Sequence, residues 1–485
     1  MLFGILWSYI KIIWEKRSSR SSSELNADRK WDTTIYQIFI SLGPLIFCFS
    51  VGAMMGFSGI FLPQLEAGKG QMKTNGDVQS WIASSAVLSM TFFSLFGGFL
   101  MEEVGRRSAH IIPAIPGIAG WLTIYFARNI STILIGRILT GISCGLFAPI
   151  TSAYIGEITS PSLRPFILGC ITLSVTSGTL LCHLVGTFYS WRTTAIFCAI
   201  FPTIGGILTF FSEETPTWLF RKDRIEDACA AFSRIRGQSE ETEKELEVML
   251  EKHKNGGFRS KPLAEITQDL IAKPELFKPL LVVVLYFVSA QFAGINVVTF
   301  YAIDVVKLSL GAKFEKSHVT MLGMDFIRVV TSVIACILLK NLKRRHLVVG
   351  GGVGCMGCLL TLSFSNFLSR VTENTLLSVY APLTALLAYV FFISISLVPL
   401  PWCLAGELLP QELKGLASSL LCFFSFTAFF IAVKCAPFLF EFLGAGLTYL
   451  VFCGSVLFGT TLCWFFLPET KNKTLEEISD TYSER

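Results

Sequence analysis

Two acids in this chain are each followed seven residues later by a base: Glu157 by Arg164, and Glu407 by Lys414. Each pair stands at the end of a long apolar segment. Charges placed this way form contacts that can make and break. An exposed ion pair contributes only ~0–1 kcal/mol, so a cluster biases two conformations without locking either. Other signatures recur at a similar distance: Gly105-Arg106-Arg107 is echoed by Lys343-Arg344-Arg345, and Glu214-Thr215-Pro216 by Pro468-Glu469-Thr470. A repeat of about 240–250 residues implies two similar halves facing each other. The expected latch brings Glu157 and Glu407 together from opposite halves, within reach of Arg106, Arg107, Arg344 and Arg345, with Glu102 beside them.

A second set of residues is neutral and polar. Thr172, Thr176, Thr179 and His183 fall at i, i+4, i+7 and i+11, on one helix face. Further along stand Gln291, Asn296 and Thr299 with Phe300 and Tyr301, then Trp402, then Ser425 with Phe426. Hydroxyls and amides that donate and accept, beside aromatic faces that cover C–H surface, suit a polyhydroxylated solute. The competing reading for each Thr is a bond back to its own helix, and for the aromatics it is core or lipid packing. Arg328 is of another kind. In the middle of an apolar segment it costs about 2.5–3.5 kcal/mol unless it faces protein or water. Asp325, three residues earlier on the same face, predicts a self-neutralising pair lining a cavity; the alternative has Arg328 meeting an anionic solute. The chain has no phosphate loop, metal-ligand cluster or catalytic dyad, so no enzyme activity, cofactor or metal is expected.

The elements that hold these residues follow from composition. Of 485 residues, 52% are hydrophobic and only 15% charged, against about 25% charged in an average soluble domain. Mean hydropathy is +0.60. The excess falls into blocks of about 20 residues, each long enough for a helix to cross a bilayer. Twelve spans are expected, near 36–62, 79–101, 108–127, 132–156, 166–189, 191–211, 279–304, 318–340, 346–368, 377–405, 416–438 and 444–467. The fold class is therefore all-α and integral to the membrane, in two six-helix pseudo-symmetric halves. The domains are a tail at 1–34, a first bundle at 35–212, a charged helical linker at 213–277, a second bundle at 278–468 and a tail at 469–485. Within the linker, 224–236 and 240–254 have helical charge spacing, and Lys261-Pro262 begins another helix.

With both ends inside, about 29 of the 40 Lys and Arg fall on the cytoplasmic side and about eight outside, which sets the orientation. Arg137, Arg328 and Lys434 fall within spans. The 14 Cys show no paired or metal-ligand spacing and read as small core residues. Met1–Ile13 lacks a small-residue cleavage site and reads as an interfacial stretch rather than a cleaved leader. Asn129-Ile-Ser131 is a formal glycosylation sequon against the membrane, read as unused. Pro399 and Pro401 predict a bent tenth span, and Gly294 a loosened seventh.

Taken together, the strings resemble the sugar porter family of the major facilitator superfamily, in particular the insect facilitated trehalose transporters. The resemblance covers about 35–480 and rests on Gly97-Gly98-Phe-Leu-Met-Glu102-Glu-Val-Gly105-Arg106-Arg107, Gly136-Arg137-Ile-Leu-Thr-Gly141, Tyr154-Ile-Gly-Glu157, Gln291-Phe-Ala-Gly294-Ile-Asn296, Pro399-Leu-Pro401-Trp402, Glu407-Leu-Leu-Pro410 and Pro468-Glu469-Thr470-Lys471-Asn-Lys473. It implies the major facilitator fold, alternating access, and sugar-contacting positions at Gln291, Asn296 and Trp402. It also places Arg164 and Lys414 in the charge clusters. The chain departs from the family at Ala290, where a Gln is usual, at Arg328, where an amide is usual, and at Ser425, where an Asn is usual. Lys340 and Lys343 stand where an acid and a Gly are usual. Proton-driven relatives carry an acid in the first span, but this chain reads Gly52-Ala-Met-Met-Gly56-Phe57-Ser58-Gly59.

The expectation is downhill transport of trehalose or a hexose by a multi-pass plasma-membrane protein with both termini cytoplasmic. Its partners are the solute and the lipid; it needs no nucleic acid and no oligomer. Two alternatives stay open: a facilitator of another polar or anionic solute through Arg328, and a non-transporting sensor on the same scaffold.

Overall fold

The computed structural model describes residues 24–67, 75–255, 274–310, 317–368, 376–408 and 414–467; the side chains of 24–32, Ala67, Pro165, 274–276, Leu310, Lys340, 376–379, 406–408 and Lys414 lie outside the description. The Lys261-Pro262 helix, the Pro468-Glu469-Thr470 string and the C-terminal tail expected at 469–485 fall outside the described residues.

Among the described residues the chain is helical without strands. The first half consists of α1 (Glu24–Ala67), α2 (Gly76–Val104), α3 (Arg106–Ile111), α4 (Ala114–Tyr125), α5 (Ile130–Ile158), α6 (Arg164–Phe188) and α7 (Trp191–Phe210). Three linker helices follow: α8 (Pro216–Arg221), α9 (Ile225–Arg236) and α10 (Glu240–Lys254). The second half holds α11 (Pro274–Phe292), α12 (Ile295–Phe300), α13 (Ala302–Leu310), α14 (Ser317–Asn341), α15 (Arg344–Leu368), α16 (Leu376–Ile395), α17 (Pro399–Leu408), α18 (Lys414–Phe442) and α19 (Gly444–Phe466).

Among the described residues, ten stretches are long and apolar enough to cross a membrane, and Phe277–Phe292 is a shorter apolar helix. The architecture fits the twelve-span reading, with two spans broken for local reasons. The third is interrupted between α3 and α4 at Pro113, whose ring removes a backbone donor. The seventh breaks at Gly294, whose φ of +96° ends one helix and opens the next. Residues 396–398 separate α16 from α17, so the tenth span bends where Pro399 and Pro401 stand.

The segment expected as a tail at 1–34 is helical from Glu24 onward, continuous with the first span. No Gly or Pro occurs between Glu24 and Leu42 to stop that helix. Its start is tied to the linker: Gln37 Nε2 donates to Ile235 O at 3.1 Å, and Tyr36 Oη to Glu213 Oε1 at 3.4 Å. Some helix starts carry side-chain caps. Asn129, the sequon residue, accepts the Thr132 N–H at 2.8 Å, and Ser239 closes a capping box with Thr242.

The halves meet along two seams, α2 against α18 and α6 against α14. Within the first half α1 lies tightly on α6. A Cβ on Gly52 would sit 1.9 Å from the Val175 carbonyl oxygen, so only glycine allows that approach. The outside of the bundle is studded with exposed Phe92, Phe96, Ile207, Phe326, Val353 and Leu360. An apolar surface this extensive suits lipid contact.

Candidate functional site

A cavity of about 1150 Å³ lies between the halves. Thr172 and Thr176 line it from α6, Gln291 and Asn296 from either side of the Gly294 break, Arg328 from α14, and Trp402 from α17. At the end carrying the linker helices it reaches Ser162 and Arg164 on one half and Asn341 and Arg344 on the other. The far end is sealed by contacts between the halves. Ser80 Oγ donates to Lys434 O at 3.2 Å, and a Cβ on Gly59 would lie 3.0 Å from Thr299 O. His183 Nδ1 meets Asp325 Oδ2 at 2.5 Å.

The amides form one network. Gln291 Nε2 donates to Ser425 Oγ at 2.9 Å, and Asn296 Nδ2 donates to Gln291 Oε1. Five positions apart on an unbroken helix, these two side chains would diverge by roughly 140°. The break at Gly294 turns them to the same side. Gly294→Ala combines a left-handed backbone with a Cβ only 2.4 Å from the Phe452 ring, against a conformational cost of ~1–2 kcal/mol. Lower thermal stability and about a tenfold slower vesicle uptake are expected, about 1.4 kcal/mol in the barrier; unchanged uptake would show that the amides need no break.

The expected four-residue polar face on α6 divides in two. Thr172 and Thr176 line the cavity; Thr176 Oγ1 bonds back to Thr172 O at 3.1 Å and also lies 3.3 Å from Ser332 Oγ of the other half. Thr179 instead donates to Gly52 O at 3.0 Å and packs on α1. Ser425 is fully buried behind the wall, holding Gln291, while its neighbour Phe426 lines the cavity. Trp402 stands edge-on to Phe287 at 4.9 Å between centroids.

The expected self-neutralising Asp325–Arg328 pair is not what the structure shows. Arg328 Nη1 donates to Thr299 Oγ1 at 2.7 Å, and its buried Nε has no protein partner. Asp325 reaches across to His183 instead. Sequence reasoning missed this contact because the two residues are 142 positions apart, whereas Arg328 is one helical turn away.

The charged residues at the linker end are also arranged differently from the expected latch. Glu157 pairs with Arg106 at 3.3 Å, within its own half, and accepts the hydroxyl of Thr217 in α8. Arg106 also bonds Glu102 at 3.0 Å, and Arg221 of α8 holds Glu102 at 2.8 Å. Glu214 accepts the backbone N–H groups of Arg106 at 2.9 Å and Arg107 at 3.1 Å. Burial nevertheless holds its carboxyl above the usual range. The cluster therefore binds the linker to the first half. Glu214 was visible as part of a repeat; Thr217 and Arg221 carried no signal beyond the short Pro216-initiated helix.

Arg107 lies over the Phe210 ring at 5.4 Å. Arg164 Nη2 reaches Thr159 O at 3.5 Å; burial lowers its guanidinium, with Glu245 and Glu157 opposing. Arg344 Nη1 donates to Leu342 O at 3.4 Å, and Arg345 lies over the Trp464 ring at 4.6 Å. The side chains of Glu407 and Lys414, the second pair of the repeat, lie outside the described residues.

Residues 36–482 match the family model described as "Sugar (and other) transporter". The chain is 27% identical over 453 residues to facilitated trehalose transporter Tret1 of Aedes aegypti, covering 92% of this chain but spanning only 55% of that relative. It is 28% identical to the mouse protein named solute carrier family 2, facilitated glucose transporter member 8, covering 92% of this chain and 93% of that protein. In fold it is similar to the proton:xylose symporter XylE solved with 6-bromo-6-deoxy-D-glucose, with a TM-score of 0.80 at 20% identity over 93% of this chain and all of that one.

Proposed function

The chain belongs to the sugar (and other) transporter family, and from that premise we propose that it carries a sugar, trehalose or a hexose, down its gradient by alternating access. The observation that supports this most directly is the cavity itself. It lies between two halves that pack along separable seams, and it offers amides, hydroxyls and one indole to a solute. The named relatives are carriers of trehalose and of glucose rather than enzymes. The anionic-solute and sensor alternatives draw no support from them.

The protein spans the membrane many times. We place the linker and both ends in the cytoplasm from the Lys and Arg distribution, and the protein itself in the plasma membrane. In this conformation the site then faces inward. Glu102, Arg106, Arg107, Glu157, Arg164, Arg344, Arg345, Glu407 and Lys414 would rearrange into contacts across the halves when the inner side closes. Thr172, Thr176, Gln291, Asn296, Arg328, Trp402 and Ser425 form or support the binding wall.

The downhill mode rests on Arg137. This fully buried guanidinium is held by the carbonyls of Met54, Ile82 and Ala83 and the hydroxyl of Ser58. Among the described residues no carboxylate shares it, so no acid in α1 is placed to take up a proton beside it. Purified protein in lipid vesicles is expected to accumulate labelled trehalose or glucose only to equilibrium, with uptake unaffected by a protonophore. Concentrative uptake that collapses with the proton gradient would overturn the downhill reading.

A further inference from the structure

The contact between His183 of α6 and Asp325 of α14 joins the two halves just beyond the cavity, on the side away from the linker. Neither residue lines the cavity; both are buried, at 0% and 4% exposure. The ring is held at both nitrogens. Nδ1 lies 2.5 Å from Asp325 Oδ2, and Nε2 lies 2.9 Å from the Gly56 carbonyl oxygen. A carbonyl can only accept, so Nε2 carries a hydrogen. The ring's other nitrogen and the carboxylate then need one proton between them. The closed contact therefore holds one proton more than a neutral imidazole beside an ionised carboxylate.

We propose that His183 and Asp325 form the outer gate of the transport cycle, closed by a proton held between them, and that Asp325 turns to Arg328 when the gate opens. This rests on the alternating-access reading above. Opening breaks the Nδ1–Oδ2 contact and releases one proton to water on the far side. His183 is left neutral and Asp325 ionised, one helical turn from the Arg328 guanidinium. Arg328 has the capacity to receive it, because its Nε is unpartnered and its Nη1 bonds only the neutral Thr299 hydroxyl among the described residues. Closed, the His–Asp pair is neutral overall and Arg328 keeps its charge against the neutral Thr299 hydroxyl; open, Asp325 neutralises Arg328, and the one positive charge lost from the three groups leaves as the released proton.

The groups packed around the ring leave no rival proton acceptor among the described residues. From α1 come the Gly56 carbonyl and Gly59, whose Cβ would lie 3.1 Å from Nε2. Thr299 comes from α12, and Cys182 from α6 itself. The Tyr389 hydroxyl, near Arg328, donates to Ala293 O. Because the pair is shielded from the cavity, its proton enters and leaves on the far side, so the gate responds to outside pH without moving protons along with the solute.

The test is zero-trans influx of labelled trehalose or glucose into vesicles, at outside pH from about 5.5 to 8 with inside pH fixed. One proton per closure allows the closed-to-open ratio to rise up to about tenfold per pH unit of acidification, so influx falls as the outside is acidified. His183→Gln keeps a hydrogen bond to Asp325 but cannot titrate, and is expected to transport with the pH slope reduced to less than twofold. Arg328→Gln keeps the ring and should slow influx at every pH, because the opened Asp325 loses its cation. Influx independent of outside pH, or a full slope retained in His183→Gln, would overturn the gate and leave the sugar-carrier reading intact. One proton moving with each solute would contradict the far-side route proposed for the gate, and the downhill mode as well.

Discussion

Arg106→Ala is expected to lower stability by about 3–5 kcal/mol, the usual cost of removing one partner from a buried ion pair. Arg106 is 2% exposed and bonds Glu102, Glu157 and the Met101 carbonyl. Deleting it takes the cation at 3.3 Å away from Glu157, which keeps the Thr217 hydroxyl, and leaves the Glu102 carboxylate to Arg221 of the linker. Glu102 is 30% exposed and recovers some hydration, which places the effect toward the lower end. Arg106→Lys restores the charge but not the fork of donors, so it should recover part of the loss. Glu157→Gln, which keeps an acceptor for Thr217, should cost about 1–2 kcal/mol. Thermal unfolding in detergent reads all three. If Arg106→Ala melted with the wild type, the cluster would be a set of weak surface contacts. Slower transport in a stable Arg106→Lys variant would show that the same charges also serve the change of conformation.

The twelve spans were legible because burial in lipid leaves a composition signal that needs no partner: about 20 apolar residues suffice. Bends were legible where a single residue dictates them, as at Gly294 and at Pro399 with Pro401. The linker helices α9 and α10 stood out through charge spacing. Pairing was harder to read. The repeat aligns Glu157 with Glu407 and offers both acids four arginines from the two halves; it does not say that Arg106 of the same half takes Glu157, or that the short α8 helix brings Thr217 and Arg221 onto Glu157 and Glu102. Periodicity tells which residues share a face, not how far along the face the neighbouring helix lies. Hence Thr172 and Thr176 line the cavity while Thr179 and His183, on the same stripe, meet α1 and α14. Asp325 shows the general difficulty: a base one turn away on its own helix looks like the obvious partner, and only the packing of α6 on α14 reveals another.

Gln291→Ala is expected to weaken sugar binding about 10–100-fold, or about 1.4–2.8 kcal/mol. Two losses add. The solute loses an amide at the cavity wall, and Ser425, fully buried, loses the donor that satisfies it at 2.9 Å. Ser425→Ala removes no cavity-lining atom, so its effect should come only through the freed Gln291 amide: a few-fold rise in KM with little change in maximal rate. The decisive comparison is the double variant. If Ser425 acts through Gln291, then Gln291→Ala with Ser425→Ala binds no worse than Gln291→Ala alone, and better where the orphaned hydroxyl was costly. If the double variant instead loses the full Ser425 increment on top, Ser425 touches the solute itself, and the wall must move far enough in the cycle to uncover it. Equilibrium binding of trehalose or glucose to purified protein separates the two outcomes, because it reads affinity without the rate of the conformational change.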